Sequence, residues 1–530
     1  MQMPWQTPLA REPDAVARFG HSQQPGGTTL VKAYFAQHAL HDARPRTGYS
    51  PNLSCSTNER PHNLDLNNYR SDLPEKLAVT MAARAAHVLG LNSDGDVVKP
   101  ARGLYPHQWS WDTAFIAIGL SALDVDLACR NLDALFTGQW RNGMVPHIVF
   151  DPDAKGYFPG PDRWACADVS GEAPATPLTS GICQPPVHAI AALHTVRAAT
   201  RRDNSTASAA IRWAETFLPK LLSWHRFLVR ERTDASTGLV RIFHGWESGM
   251  DNSPRFDGPY SRVRPGPDLP PYERRDLKYV TDAGQRPTNQ EYDSYLWLVE
   301  EAKHAGYDQQ VLSRSSSFNV GDVFFTALFA AANDDLAELA DLVRAPEVAE
   351  ARGYAERARA AVAARTGPSG LATDIDLRTG EDLEAGTIAG FAPLIAGQLS
   401  AHEVDGMVKL LQGICWAGHP GFKWALPPST SPCSAHFRAR SYWRGPVWPV
   451  TNWLLTWALG RAGAEQAAAD LRRTALEQVV VAGGLAEYYE PYTGEVLGTV
   501  NHSWTAAVVV DWLCADDWPR PASMTRRITG

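Results

Sequence analysis

A chain of 530 residues with a formal charge of −8 has no basic surplus with which to neutralise phosphates, which argues against nucleic acid as a partner. Its length allows one large core or two smaller ones, and 44% hydrophobic residues is ordinary for a soluble globular protein. No uncharged apolar run approaches the roughly 20 residues that a membrane span needs. The first residues lack the basic-then-apolar order of a signal peptide, so a cytoplasmic location without membrane contact is expected.

Seven cysteines, at 55, 129, 166, 183, 415, 433 and 514, are odd in number and form no Cys-x-x-Cys. That argues against a complete disulfide framework and against a zinc knuckle. His107, His147 and His502 are not placed as a metal set, and neither a metal nor a cofactor is expected. The 18 tryptophans stand out, because the indole ring serves both core packing and stacking on sugars.

Residues 1–72 are poor in Leu, Ile, Val and Phe and rich in Pro, Asn, Gln, His and Arg. They read as an extension, extended or partly disordered. Asp72, Pro74 and Glu75 then mark a helix start. Helical periodicity continues at about 73–91, 111–122, 124–138, 184–201, 206–231, 289–305, 319–343, 347–365, 386–398, 401–413, 446–462, 464–481 and 502–514. Short strands are open at 145–150 and 238–243. Residues 73–515 form the expected catalytic domain and 516–530 a tail.

These helices are of two kinds. Residues 347–365 keep a charged face, whereas 320–332 and 447–459 are apolar nearly all round, as enclosed helices are. About a dozen helices alternating between the two kinds describe two concentric layers. The expected fold is all-α, an (α/α)6 toroid with minor β-hairpins in its loops. An open solenoid would show a repeat of roughly 20–50 residues, and none is found.

Polar-aromatic motifs sit where these helices begin or end. They are Tyr105 to Asp112 (Tyr-Pro-His-Gln-Trp-Ser-Trp-Asp), Gln139 to His147, Gln184-Pro185-Pro186, Asn289 to Asp293, Ser441 to Trp448, and Asn501 to Trp504. In a barrel they would collect at one mouth, as the lining of a ligand site. Two loops broken by glycine carry carboxylates among aromatic rings: Gly245 to Arg255, with Glu247 and Asp251, and Gly483 to Glu495, with Glu487 and Glu490. Glycoside cleavage needs such a pair, one carboxyl to protonate the leaving oxygen and one to handle water or the anomeric carbon. An inverting enzyme keeps them about 6.5–9.5 Å apart, a spacing that separate loops can meet.

Trp109-Ser110-Trp111-Asp112, Gln139-Trp140, Gly143 to His147, Gln184 to Pro186, Trp246 to Arg255, Tyr442 to Gly445 and Glu487-Tyr488-Tyr489 occur together in this order. As a set, from about Leu73 to Leu513, they resemble glycoside hydrolase family 63 and its mannosylglycerate and glucosylglycerate hydrolase branch, with a more distant likeness to trehalases. The resemblance implies an (α/α)6 barrel, inversion at an α-linked sugar, no catalytic metal, a general acid at Asp251 and a general base at Glu487. Residues 1–72 lie outside it.

Alternatives remain at each position. Asp251 either donates the proton or bonds the turn backbone. Glu247 competes as the acid, although the motif gives it a supporting role, and Glu490 and Glu495 compete with Glu487. Asp112 either grips sugar hydroxyls beside Trp109 and Trp111 or caps a helix. Gln139 shares that grip or is structural. Tyr105, Trp140, Trp246, Tyr442, Trp443 and Trp504 are the remaining aromatic candidates for the sugar. Arg444 would hold an acidic aglycone or the base, while Arg141 and Arg255 brace loops. Residues 257–288, with Arg262, Arg264, Arg274, Arg275 and Lys278, form either a lid or a solvated loop. The expected partner is a small carbohydrate whose sugar and aglycone stay open, as does homo-oligomerisation. A phosphorylase, a lyase or a non-catalytic sugar-binding protein on the same barrel are the competing readings.

Overall fold

The structure, a computed structural model, describes residues 75–514 except 279 and 281. The expected extension over 1–72, the helix cap at Asp72 and the tail over 516–530 lie outside the described residues. The helices that are apolar all round do form an inner layer. Ser110–Leu123, His188–Thr200, Val323–Leu342, Ala392–Ala396, Pro449–Arg461 and Ser503–Cys514 pack each against the next, and the last returns to the first. That closure is what separates a toroid from a solenoid. At the seam Gly119 lies so close to Ala507 that a Cβ at 119 would run into backbone.

Six further helices make the outer layer: Glu75–Asn92, Val125–Phe136, Asn204–Phe227, Val348–Ala364, Ala401–Leu411 and Glu465–Ala482. Each shows solvent one polar face, as Val348–Ala364 does with its buried alanine stripe at 351, 355, 358 and 361. Side-chain caps fix several starts, among them Asp124 on Leu127 N–H and Ser400 with Glu403 as a capping box. Asn289–His304 belongs to neither layer and follows the long connection over 257–288.

Four expected elements are corrected. The helix expected at 184–201 starts at His188, because Pro185 and Pro186 keep the preceding backbone extended. Residues 320–322 form a strand, and the helix begins at Val323 with Asp322 accepting from Phe325 N–H at 2.8 Å. The helix expected at 386–398 is one short turn, Ala392–Ala396, preceded by a 3₁₀ turn at Ile388–Phe391. Residues 228–231 continue the long outer helix only as a π-turn, Leu228–Arg232.

The strands open at 145–150 and 238–243 appear as Ile148–Val149, paired with Gln108–Trp109, and Val240–Ile242. The latter is the edge of a four-stranded antiparallel sheet with Val320–Asp322, Asp374–Asp376 and Asp382–Leu383. Cys415 and Cys433 form a disulfide, and Cys129, Cys166, Cys183 and Cys514 are buried. No helix among the described residues is long and apolar enough to cross a membrane.

The inner ring predicts its own weak point. Phe115 is fully buried on the first inner helix and meets Trp111 and Trp453 edge-on, at ring centroids 5.6 and 5.8 Å away. Phe115→Ala should lower stability by about 3–5 kcal/mol through the cavity it leaves, measured by denaturant unfolding.

Candidate active site

The motifs at the starts of the inner helices meet in one aromatic-walled cavity. Tyr105, Trp109, Trp111 and Asp112 enter it ahead of or within the first turn of Ser110–Leu123, and Gln184 lies four residues before His188. Tyr442 and Trp443 precede Pro449, and His502 and Trp504 flank the start of Ser503–Cys514. The acidic loops contribute Trp246 and Asp251 from one side and Glu487 from the other. Asp112 is in the helix's first turn rather than at its cap, which is Trp109.

Asp251 follows a tight 3₁₀ turn, Gly245–Ser248. The turn is held by Ser248, whose hydroxyl donates to Gly245 O at 2.7 Å and accepts from Met250 N–H at 2.9 Å. The next residue, Asn252, accepts from Trp443 N–H at 2.9 Å and so ties this loop to the Tyr442–Trp443 wall. Desolvation among these rings pushes the Asp251 carboxyl up to about 7, against the pull of Arg286. Glu247 does not reach the cavity. It is wholly buried and paired with Arg232 at 2.7 Å, and that guanidinium keeps its carboxyl below the usual range despite burial.

Glu487 leads into the hairpin of Tyr488–Tyr489 and Val496–Leu497. Its backbone carbonyl accepts from Trp504 Nε1 at 3.3 Å. Its carboxylate accepts from Tyr105 OH at 2.7 Å and from Thr499 N–H at 3.1 Å. Burial raises its pKa, while Arg286, Tyr105 and Thr499 N–H favour the anion. Asp112 is pushed well above the ordinary carboxylate range by burial, with the charge of Glu487 adding to the shift. Glu490 and Glu495 are engaged elsewhere, Glu490 by Thr493 N–H and hydroxyl and Glu495 by Arg440.

Arg286 is the buried guanidinium of this cavity, and the sequence reading passed over it. Its Nη1 donates to Tyr105 OH at 3.0 Å and lies 3.7 Å from Glu487 Oε1. The guanidinium covers the Tyr442 ring at 4.5 Å. Tyr442 itself has φ 42, a left-handed conformation that costs a non-glycine residue about 1–3 kcal/mol and turns this ring into the site. Arg286 closes the segment 257–288, which is therefore part of the wall. Asp276 and Gln285 are buried there, and Gln285 is tied to the Glu487 hairpin by Gly498 N–H and Tyr488 OH. Arg262 pairs with Asp376, Arg274 with Asp276, and Arg275 and Lys278 with Glu273.

Three expected sugar contacts lie outside the cavity. Gln139 spends its amide on the carbonyls of Gly143 and Lys220. Trp140 is buried with its Nε1 on the Thr179 hydroxyl, 2.9 Å away. Arg444 points outward and pairs with Asp257. Each adjoins a residue or motif that does reach the site, but its side chain leaves the backbone in another direction. Arg141 and Arg255 brace loops, the former on Gly171 O and the latter on Asp374 and Asp322.

Besides Arg286, the cavity takes Tyr157, His147, Tyr292 and Tyr295. His147 stacks on Trp246 with ring centroids 6.1 Å apart, and burial lowers its pKa to about 3, so its ring is neutral. His502, likewise lowered to about 3, is neutral too. No group of three or more metal-ligating side chains occurs among the described residues.

Residues 105–505 match the family model of the mannosylglycerate hydrolase MGH1-like glycoside hydrolase domain. The chain is 48% identical over 443 residues to the glucosylglycerate hydrolase of Mycolicibacterium hassiacum, an alignment covering 83% of this chain and 99% of that one. It is 40% identical over 431 residues to the mannosylglycerate hydrolase of Thermus thermophilus, covering 81% and 99%. Among solved structures it is similar to a glycoside hydrolase family 63 mannosylglycerate hydrolase of Thermus thermophilus in complex with Tris and D-glycerate. That match has a TM-score of 0.74 and 39% identity, covering 82% of this chain and 99% of the other.

Gly498 tests how tightly Glu487 is held. It has φ +68, and a Cβ there would collide with Glu487 Oε2. Gly498→Ala should displace the carboxylate, and a misplacement of about 1 Å lowers any turnover that depends on it by about 10²-fold. Steady-state rates beside an unchanged circular dichroism spectrum would show it.

Proposed function

This chain belongs to the mannosylglycerate hydrolase MGH1-like family of glycoside hydrolases, and from that membership we propose that it hydrolyses an α-glycoside of glycerate, glucosylglycerate first, with inversion. The observation that carries this reading is the triangle of Asp251, Glu487 and Arg286 around one aromatic-walled cavity. Glucose ranks before mannose because the identity to the glucosylglycerate hydrolase, 48%, exceeds the 40% to the Thermus mannosylglycerate hydrolase.

Asp251 is the general acid. A carboxyl with a pKa near 7 is still largely protonated at slightly acidic pH and can give its proton to the departing glycerate oxygen. Glu487 is the general base. The Tyr105 hydroxyl and Thr499 N–H hold its two oxygens, and Arg286 supports its negative charge, so it can take a proton from the attacking water. Trp109, Trp111, Trp246, Trp443 and Trp504 supply faces for a sugar ring, and Asp112 and Gln184 supply hydrogen bonds. Arg286 replaces Arg444 as the anchor of an acidic aglycone, since Arg286 lines the cavity and Arg444 does not.

Hydrolysis screening with glucosylglycerate, mannosylglycerate, kojibiose, nigerose and trehalose tests the substrate, and NMR of the first-released anomer tests the stereochemistry. β-Anomer first is expected; initial α-anomer, phosphate-dependent turnover or an unsaturated product would each overturn the reading. Asp251→Asn and Glu487→Gln should each lower kcat by about 10²- to 10⁴-fold, and Glu490→Gln should not. In wild type, kcat/KM should rise as Glu487 loses its proton and fall as Asp251 loses its own, with the alkaline limb centred near 7. Arg286→Met should lower the preference for a glycerate glycoside over an uncharged methyl glycoside by about 10-fold or more, the value of a charge-assisted hydrogen bond.

A further inference from the structure

Behind the cavity wall, outside the residues that line it, lies a fully buried ion pair. Arg232 closes the π-turn Leu228–Arg232, and its two terminal nitrogens grip both oxygens of Glu247 at 2.7 and 3.0 Å. Its Nε donates to Gln309 at 2.6 Å and its face covers the Phe243 ring at 4.7 Å. The Glu247 carboxylate then gathers two separate stretches of chain. One oxygen accepts from Phe243 N–H at 2.7 Å, at the root of the Asp251 loop. The other accepts from Cys183 N–H at 3.1 Å and from the Cys183 thiol at 3.3 Å. Cys183 immediately precedes Gln184, which lines the cavity and accepts from Trp111 N–H at 3.3 Å.

We propose that Arg232 and Glu247 are positioning residues that fix the Asp251 loop against the Gln184 wall, and so set the direction in which Asp251 delivers its proton to the glycosidic oxygen. This rests on the reading of Asp251 as the general acid. Stability alone is a poor reason for such a pair, because apolar residues of similar volume are often as stabilising as a buried ion pair. What apolar residues lack is direction, and a bidentate guanidinium–carboxylate contact supplies it. The link to the acid is short. Only four positions separate Glu247 from Asp251, wound by Ser248 and pressed by Gly249 against the Trp111 ring.

Two substrates that differ in their need for a proton test it. Glucosylglycerate expels an alkoxide and needs the acid; α-glucosyl fluoride expels fluoride and needs it little. Glu247→Gln should lower kcat on glucosylglycerate by about 10²-fold, as a misplaced catalytic group does, while KM and turnover of the fluoride change little. The alkaline limb of the pH profile should also move, which lost stability by itself would not cause. Should Glu247→Gln fail to fold, Arg232→Lys keeps the charge without the fork and should show the same discrimination. Equal losses on both substrates, or no loss on either, overturn the inference. Asp251→Asn is the control. If it spares the fluoride and the Glu247 and Arg232 variants do not, the positioning role alone falls. If Asp251→Asn loses both substrates equally, the acid assignment falls and the positioning role with it.

Discussion

Desolvation of Asp112, Asp251 and Glu487 around one buried guanidinium, Arg286, sets the terms for the rest of the molecule. A carboxylate stripped of water must be paired, hydrogen-bonded or protonated. Arg286 stands nearest Glu487, and Tyr105 and Thr499 N–H serve the same carboxylate, so Glu487 has the most support for its negative charge. Asp251 feels the pull of Arg286 as well, but desolvation outweighs it and lifts its carboxyl to about 7. Burial raises both carboxyls, and the hydrogen bonds from Tyr105 and Thr499 N–H to Glu487 make their surroundings unequal.

The scaffold meets that requirement by holding the carboxyls in place against aromatic walls. The Trp443 and Trp448 rings stack at 3.7 Å and 2°, and Tyr488 lies on Trp448 at 4.4 Å. This stack joins the 442–448 wall to the hairpin that bears Glu487. Asn252 joins the same wall to the loop that bears Asp251. Both carboxyls thus refer to one rigid aromatic surface, although 236 positions separate them in the sequence (487 − 251). Closure of the inner helical ring supplies the fixed base on which that surface stands.

Membership in a glycoside hydrolase family explains why the motifs occur together, but the division of labour within them follows from direction and burial. Of the neighbouring pair Trp443 and Arg444, the first lines the cavity and the second leaves it for Asp257. Of Glu247 and Asp251, the first is spent on Arg232 and two N–H groups, and only the second faces the site.

The sequence by itself determined the layering, because an all-apolar helix such as 447–459 has no stable place except between other helices. It also determined which stretches carry the chemistry, since carboxylates and aromatic rings crowded into glycine-broken loops serve no packing need. Only the tertiary structure decided which side chains of those stretches meet. Gln139 and Trp140 sit in a motif that reaches the site through His147, yet their own side chains point into the scaffold. Arg286 left no trace in any periodicity, because it lies in an irregular Pro- and Arg-rich segment placed by the bonds of Gln285 to Tyr488 and Gly498 and of Arg286 to Tyr105. Three strands of the four-stranded sheet, all but Val240–Ile242, were illegible for a related reason. Strands of two or three residues are too short for an alternating pattern, and their pairing partners are set by how the helices bring distant segments together.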